Sequence, residues 1–412
     1  MRRQVYPDGS RYLGVGKDTG ADEVLTYVFA PALLGISKWI LKTAEERGIR
    51  KLFFLARDGY SICETVRYLV CLRGAGPELH MLYVSRYTLR IPFYADDPEE
   101  AVDRICGGET ILTWRRIFLR SGFDELISDK MRKVLSVRDP DRPLSKKEIK
   151  KIRVQLRDDP FYLKKLTRCS RKARICTEAY LEKEGFFCDE KVGIIDSGWS
   201  GYTQLLLDKM RKQQGIRERT EGFYFGLKEL PEALEADAVH CFFFEPRDIR
   251  KKGDFRCSVL EAVLCPPFGT VLGYEEKNAV PILAGDPESE RHGRITDAVL
   301  RETKRLADAD QTLPLSTERL RKYSFAGMRL FMRSPTRKEA ENLGTLLFSG
   351  EMTDRFQEEL APVLVRSALN KRLLAAGVLR GLSLMKPLDR AVCWPEGTLR
   401  RSTGCDYIFR KA

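Results

Sequence analysis

Two short stretches of this sequence combine acids, glycines and small hydroxyl residues in a way that suits anion chemistry. The first is Ala56-Arg57-Asp58-Gly59-Tyr60-Ser61. Asp58 can serve as acid/base or metal ligand, Arg57 can grip a phosphate or carboxylate, and Gly59 permits a tight turn. The plain alternative is a surface turn in which Asp58 caps the next helix. The second stretch is Asp196-Ser197-Gly198-Trp199-Ser200-Gly201-Tyr202-Thr203-Gln204. Its glycines and serines can turn backbone N–H groups toward an anion at a helix start, and Trp199 can stack on a sugar or base. A glycine-rich strand-to-helix connection with a serine cap is the competing reading.

Two further candidates are weaker. Ser85-Arg86 ends a second apolar run, where Ser85 can bind phosphate. Glu261 sits among apolar neighbours in Ser258–Leu264, as a raised-pKa acid, a substrate contact, or the polar face of a short helix. His240-Cys241 is not expected to act as a pair, because adjacent strand residues point to opposite faces. Cys169 and Cys176, seven apart on a predicted helix, fit packing better than metal binding. Eleven cysteines without a C-x-x-C pair, and only three histidines, argue against a disulfide framework, a zinc ribbon and a multi-histidine metal site.

The elements that must position these residues follow from apolar periodicity. Ala21–Gly48 has helical spacing broken by Pro31. Lys51–Ala56 is a short continuous apolar run that suits a buried parallel strand, Tyr60–Leu72 reads as a helix, and His80–Ser85 as a second strand. That order implies a right-handed βαβ unit. Lys191–Asp196 predicts another strand, Tyr202–Lys212 a helix and Glu221–Gly226 a further strand. Both main motifs therefore fall at the carboxyl end of a strand, where α/β sheets hold ligands. Between them, 98–187 is helical in pattern, with a capping box at Ser145–Glu148 opening a basic helix that ends near Asp159-Pro160. The predicted fold class is α/β, with a parallel Rossmann-like core. The core comprises 1–97 and 188–290, 98–187 is a helical insertion or cap, and 291–412 is mostly helical.

The strings Phe53-Phe54-Leu55-Ala56-Arg57-Asp58-Gly59-Tyr60, Tyr83-Val84-Ser85-Arg86 and Ile194-Ile195-Asp196-Ser197-Gly198-Trp199-Ser200-Gly201 resemble a bacterial family. Its members lie in surface-polysaccharide gene clusters and are described as predicted hydrolases of the haloacid dehalogenase-like superfamily. Gly222–Gly226, Glu261–Tyr274 and Trp394-Pro395-Glu396-Gly397 extend the resemblance over nearly the whole chain. It implies a phosphate-handling protein of polysaccharide biosynthesis, with a phosphorylated sugar or sugar nucleotide as ligand. By the superfamily pattern, Asp58 takes the acid/base place, Ser85 the phosphate-binding place and Asp196 that of the late metal-binding acid. Mg2+ is then the cofactor, held by Asp58 and Asp196. Arg57, Gly59, Arg86, Ser197, Gly198, Trp199, Ser200, Gly201, Thr203 and Glu261 surround substrate and phosphate. The nucleophile position, however, is Ala56, and alanine cannot form an aspartyl-phosphate. The Asp196–Thr203 stretch is also similar to the diphosphate-sugar loop of phosphoribosyltransferases, with Ser197 replacing the usual second acid. A phosphoribosyltransferase-like transfer enzyme and a non-catalytic accessory module that binds a glycosyltransferase are the alternatives.

Charge narrows the partners. The 412 residues hold 72 Lys and Arg against 59 Asp and Glu, a net +13. The stretch 129–174 alone contains 17 basic and 6 acidic residues, so nearly all the excess lies there. It has few aromatics and no helix-turn-helix, RNA-recognition or zinc-finger signature, which argues against nucleic acid. An anion-attracting lid or an anionic membrane surface suits it better. No run of roughly 18 uninterrupted apolar residues exists, and Met1–Asp8 leads into polar turn residues rather than an apolar signal-peptide centre. The expectation is a cytoplasmic protein, with the inner membrane face as an alternative station.

Overall fold

The apolar run Lys51–Leu55 forms β1, an inner strand of a five-stranded sheet, all of whose neighbouring strands pair in parallel. The structure is a computed structural model and describes residues 20–107, 112–349, 357–364 and 392–403. The N-terminal segment Met1–Asp8, and Cys405 among the eleven cysteines, lie outside the described residues. The sheet order is β2-β1-β3-β4-β5, with β2 at Glu78–Leu82, β3 at Val192–Trp199, β4 at Thr220–Leu227 and β5 at Val239–Phe244. This is a doubly wound, Rossmann-like α/β sheet, as the alternation of strand and helix patterns predicts.

Alternation along each strand divides the core in two. Leu52 and Phe54 of β1 and Ile195 of β3 face one layer. There they meet α1 (Ala30–Glu46) and α2 (Tyr60–Arg73). Phe53, Leu55 and Ile194 face the other, where α8 (Pro160–Lys183) and α9 (Tyr202–Gln213) pack. Ahead of α1, a π turn at Leu25–Phe29 absorbs Pro31, and the Ala30 amide reaches back to the Leu25 carbonyl. Asp22–Glu46 is the one described helical segment long and apolar enough to cross a membrane by length and composition, and 72% of its apolar window is buried within the fold.

Between β2 and β3 every regular described element is helical. α3 (Arg86–Arg90) and α4 (Pro98–Ile105) come first. α5 (Trp114–Arg120), α6 (Glu125–Val134) and α7 (Lys146–Arg157) lead to the long α8. The capping box forms as predicted: the Ser145 hydroxyl accepts from the Glu148 amide, and the Glu148 carboxylate accepts from the Ser145 amide. These helices enclose a core of their own around Val102, Ile117, Phe118 and Leu156. α8 ties it to the sheet, since Tyr162 and Leu166 belong to that core while Tyr180 and Leu181 pack under β1 and β3. After β5 come α10 (Ile249–Asp254), α11 (Cys257–Val263) and an antiparallel hairpin of β6 (Val271–Tyr274) and β7 (Pro281–Leu283). α12 (Ser289–Thr312) and α13 (Thr317–Arg333) then share the hydrophobic layer of α1.

β1 and β4 match their predicted bounds to within one residue at each end, and two strands differ by more. β2 begins and ends earlier, because its register with β1 closes at Leu55 opposite Leu82, and Ser85 then caps α3. β3 runs three residues further than predicted. Its partner β4 keeps pace through Trp199 opposite Leu227, so Ser197, Gly198 and Trp199 are strand residues rather than an open loop.

Candidate functional site

β1 pairs with β3 only from Lys51 opposite Val192 to Phe54 opposite Ile195. Beyond that point the chain after β1 turns toward β2 and the chain after β3 toward β4. The crevice at such a reversal of winding is where doubly wound sheets bind ligands. A cavity of about 140 Å³ opens there. Every candidate residue named from the sequence lines it except Gly59 and Gly201, which shape the turns behind it. Thr270 and the Ala56 methyl complete the wall, and no residue of 129–174 reaches it.

The first turn folds back onto its own strand. The Gly59 amide donates to the Leu55 carbonyl at 2.9 Å, and a Cβ on Gly59 would lie 2.5 Å from that oxygen. Glycine is required here for close approach, not for an unusual φ. Arg57 takes the unusual conformation instead, at φ 72°, and Trp199 does so on the opposite wall at φ 79°. Non-glycine residues held in the left-handed region gather at functional sites, because the surrounding structure must hold them there. On β3, Gly198 (φ 111°) lets the strand pass Gly226, whose carbonyl would sit 2.4 Å from an added Cβ.

These turns bring three carboxylates together. Asp58 accepts a hydrogen bond from the Ser197 hydroxyl, and Asp196 accepts one from the Ser197 amide at 2.9 Å. Glu261, carried in by α11, accepts one from the Trp199 indole N–H. Burial raises the Asp196 carboxyl well above the usual range, and repulsion from Asp58 and Glu261 adds to it. Burial and the nearby Asp58 likewise raise Glu261, to about 7. Arg86 opposes both shifts and Arg57 opposes that of Glu261, but neither effect cancels the surplus of negative charge. Asp196 and Glu261 are therefore poised to hold protons near neutral pH or to share a cation.

Mg2+ suits such oxygen donors, usually with one or two carboxylates, several waters and a substrate phosphate. Ser197 already orients Asp58 and Asp196 from behind, as supports of metal-binding carboxylates do. Among the described residues, no group of three His, Cys, Asp or Glu side chains forms a closed metal site.

Several expected roles change. The Ser197–Trp199 amides lie in a strand, so the helix-start N–H groups next to the cavity are those of the first turn of α9, beside Ser200 and Thr203. Trp199 lies against Phe244 and Phe255, at ring separations of 6.4 and 5.6 Å, and its indole N–H orients Glu261, while the residue still lines the cavity. Ser85 donates to the Val271 carbonyl at 2.7 Å and caps the Thr88 amide, so its hydroxyl proton is committed. Glu261 is not on a polar helix face but in the cavity. His240 and Cys241 do not act as a pair: His240 meets the buried Glu221 at 2.6 Å, at the opposite end of the sheet.

Fold and site together define a doubly wound α/β protein with an acid-rich, arginine-flanked crevice at its winding reversal. No family model matches the chain, and no curated protein matches it in sequence.

Proposed function

We propose that the crevice binds a phosphorylated sugar or sugar nucleotide and handles its phosphate, in a haloacid dehalogenase-like core that lacks the aspartyl nucleophile. One observation carries the reading: Asp58, Asp196 and Glu261 share a small cavity with Arg57, Arg86 and the start of α9. Cations and helix N–H groups suit phosphate oxygens, and the acids suit a metal ion and proton transfer. A cavity of about 140 Å³ is well below the ~300–1,000 Å³ that encloses a drug-sized ligand. It suits a phosphate with its ester oxygen, leaving the remainder of the ligand outside.

Ala56 presents only a methyl group where the resemblance places the nucleophile, so no phosphorylated enzyme forms there. The chemistry that suits this chain is direct attack on phosphorus by water or a sugar hydroxyl. Asp58, oriented by Ser197, accepts the proton of the attacking hydroxyl, and Glu261 protonates the leaving oxygen as the old P–O bond breaks. Mg2+ held by Asp58 and Asp196 would neutralise charge on the phosphoryl oxygens. The setting in bacterial surface-polysaccharide biosynthesis, on the cytoplasmic side, rests on the resemblance of the motifs. The basic helices of 129–174, none of whose residues lines the crevice, are available to a glycosyltransferase or an anionic membrane surface.

A second reading is favoured by Ala56 itself: a binding module that retains the ligand site without turnover. Sugar phosphates and nucleotide sugars supplied with Mg2+ separate the two. Turnover by the wild type that falls at least 100-fold in Asp58→Asn and Asp196→Asn supports the enzyme. Binding without turnover supports the module, and absence of both rejects the phosphate site.

A further inference from the structure

A row of arginines leads out of the crevice. Arg86 and Arg90 stand four residues apart on α3, so one helical turn places them on the same face. Like charges at that spacing repel, and a third arginine stands beside them. The guanidinium carbon of Arg90 lies 5.1 Å from the ring centre of Tyr202, and that of Arg104, from α4, lies 5.3 Å from the same ring. Tyr202 is the first residue of α9, two beyond Ser200 in the crevice wall. Its ring therefore gathers two cations beside the helix terminus that opens on the cavity. Burial above all lowers the Arg90 pKa to about 10, and the nearby Arg86, Arg104 and Arg120 add to the shift.

Arg86 and Arg104, at the two ends of this row, keep charge available for a ligand. Arg86 lines the cavity, is exposed, and makes no hydrogen bond or ion pair among the described residues. Arg104 pairs with Glu100 at 2.6 Å, but both are solvent-exposed, and such pairs contribute little. A phosphate can share or replace that partner at small cost.

We propose that Arg86, Arg90 and Arg104 form a second anion subsite, which takes the outer phosphate of a diphosphate. The substrate class of the crevice is then a diphosphate-linked sugar, such as a nucleoside-diphosphate sugar, rather than a sugar monophosphate. This rests on the reading of the crevice as a phosphate site and narrows it. The helical insertion joins the site through Arg104 of its first helix, while its most basic stretch does not.

The test is calorimetric titration of the full chain in metal-free buffer with inorganic phosphate and with pyrophosphate. Wild type is expected to bind pyrophosphate at least tenfold more tightly than phosphate. Arg104→Gln, on an exposed side chain that the fold tolerates, should lower pyrophosphate affinity about five- to tenfold and leave phosphate affinity unchanged. Tyr202→Leu should act in the same direction, with circular dichroism confirming the fold. Equal affinities for the two anions in wild type, or an Arg104→Gln that weakens both alike or neither, overturn the subsite and leave the phosphate site standing. If neither anion binds wild type in metal-free buffer or in buffer with Mg2+, both readings fall.

Discussion

Replacing Glu261 by Gln should stabilise the protein at alkaline pH while impairing its chemistry. An ordinary glutamate titrates near 4.5, and burial beside Asp58 carries Glu261 up to about 7. Below pH 4.5 the folded and unfolded chains both hold the proton, and the shift has no effect. Between 4.5 and about 7 the folded chain keeps a proton that the unfolded chain releases, so stability falls as pH rises. Above that the penalty is complete. At about 1.4 kcal/mol per tenfold change in proton affinity it approaches ~3 kcal/mol, and sharing the repulsion with Asp196 makes about 1–3 kcal/mol the working figure. Glutamine carries no charge at any pH, and its carbonyl oxygen still accepts the Trp199 indole N–H. Urea unfolding followed by far-UV circular dichroism at pH 4.5 and pH 8 measures the difference. The variant should match wild type at pH 4.5 and exceed it by about 1–3 kcal/mol at pH 8. A variant that is weaker at pH 8, or that differs equally at both pH values, refutes the account of Glu261 as a carboxylate held against its charge.

Three other substitutions test the scaffold around the site. Gly198→Ala places a Cβ 2.4 Å from the Gly226 carbonyl at φ 111°, and should cost about 2 kcal/mol or more, read as a lower urea midpoint. Ser85→Ala removes the α3 cap and should cost about 1 kcal/mol, yet leave phosphate affinity unchanged, since its hydroxyl proton already serves Val271. A large loss of phosphate binding would return Ser85 to the ligand. Arg211 is buried and donates to the carbonyls of Phe186, Cys188 and Glu190. Arg211→Met should cost about 3 kcal/mol, and Arg211→Lys should not restore it, because one ammonium cannot match the planar fork.

What could be read from the sequence was what local pattern determines. The apolar runs at Lys51–Leu55 and Val192–Ile195 announce buried parallel strands, and the acids and glycines after them announce the crevice. Their meeting follows from β1 and β3 being neighbours, which the strand order alone supplies. Local pattern does not say how long a strand stays paired. Ser197-Gly198-Trp199 has the composition of a loop, but β4 presents Gly226 where Gly198 needs room, and the ladder continues. For the same reason Trp199, exposed by composition, is turned against Phe244 and Phe255.

Charge shows the same division between composition and placement. The stretch 129–174 dominates the net charge, yet its helices satisfy part of it among themselves and their neighbours, as Arg142–Glu148, Arg157–Asp103 and Arg174–Asp96 show. The cations that bear on the crevice are fewer and come from elsewhere: Arg57 after β1, Arg86 and Arg90 on α3, and Arg104 on α4. None belongs to a conspicuous basic run. The i to i+4 spacing of Arg86 and Arg90 was the one available signal, and it gains meaning only once Tyr202 from α9 is set against it. Long-range attraction of an anion depends on the total charge, but its capture depends on a few guanidiniums that the fold holds close together against their own repulsion.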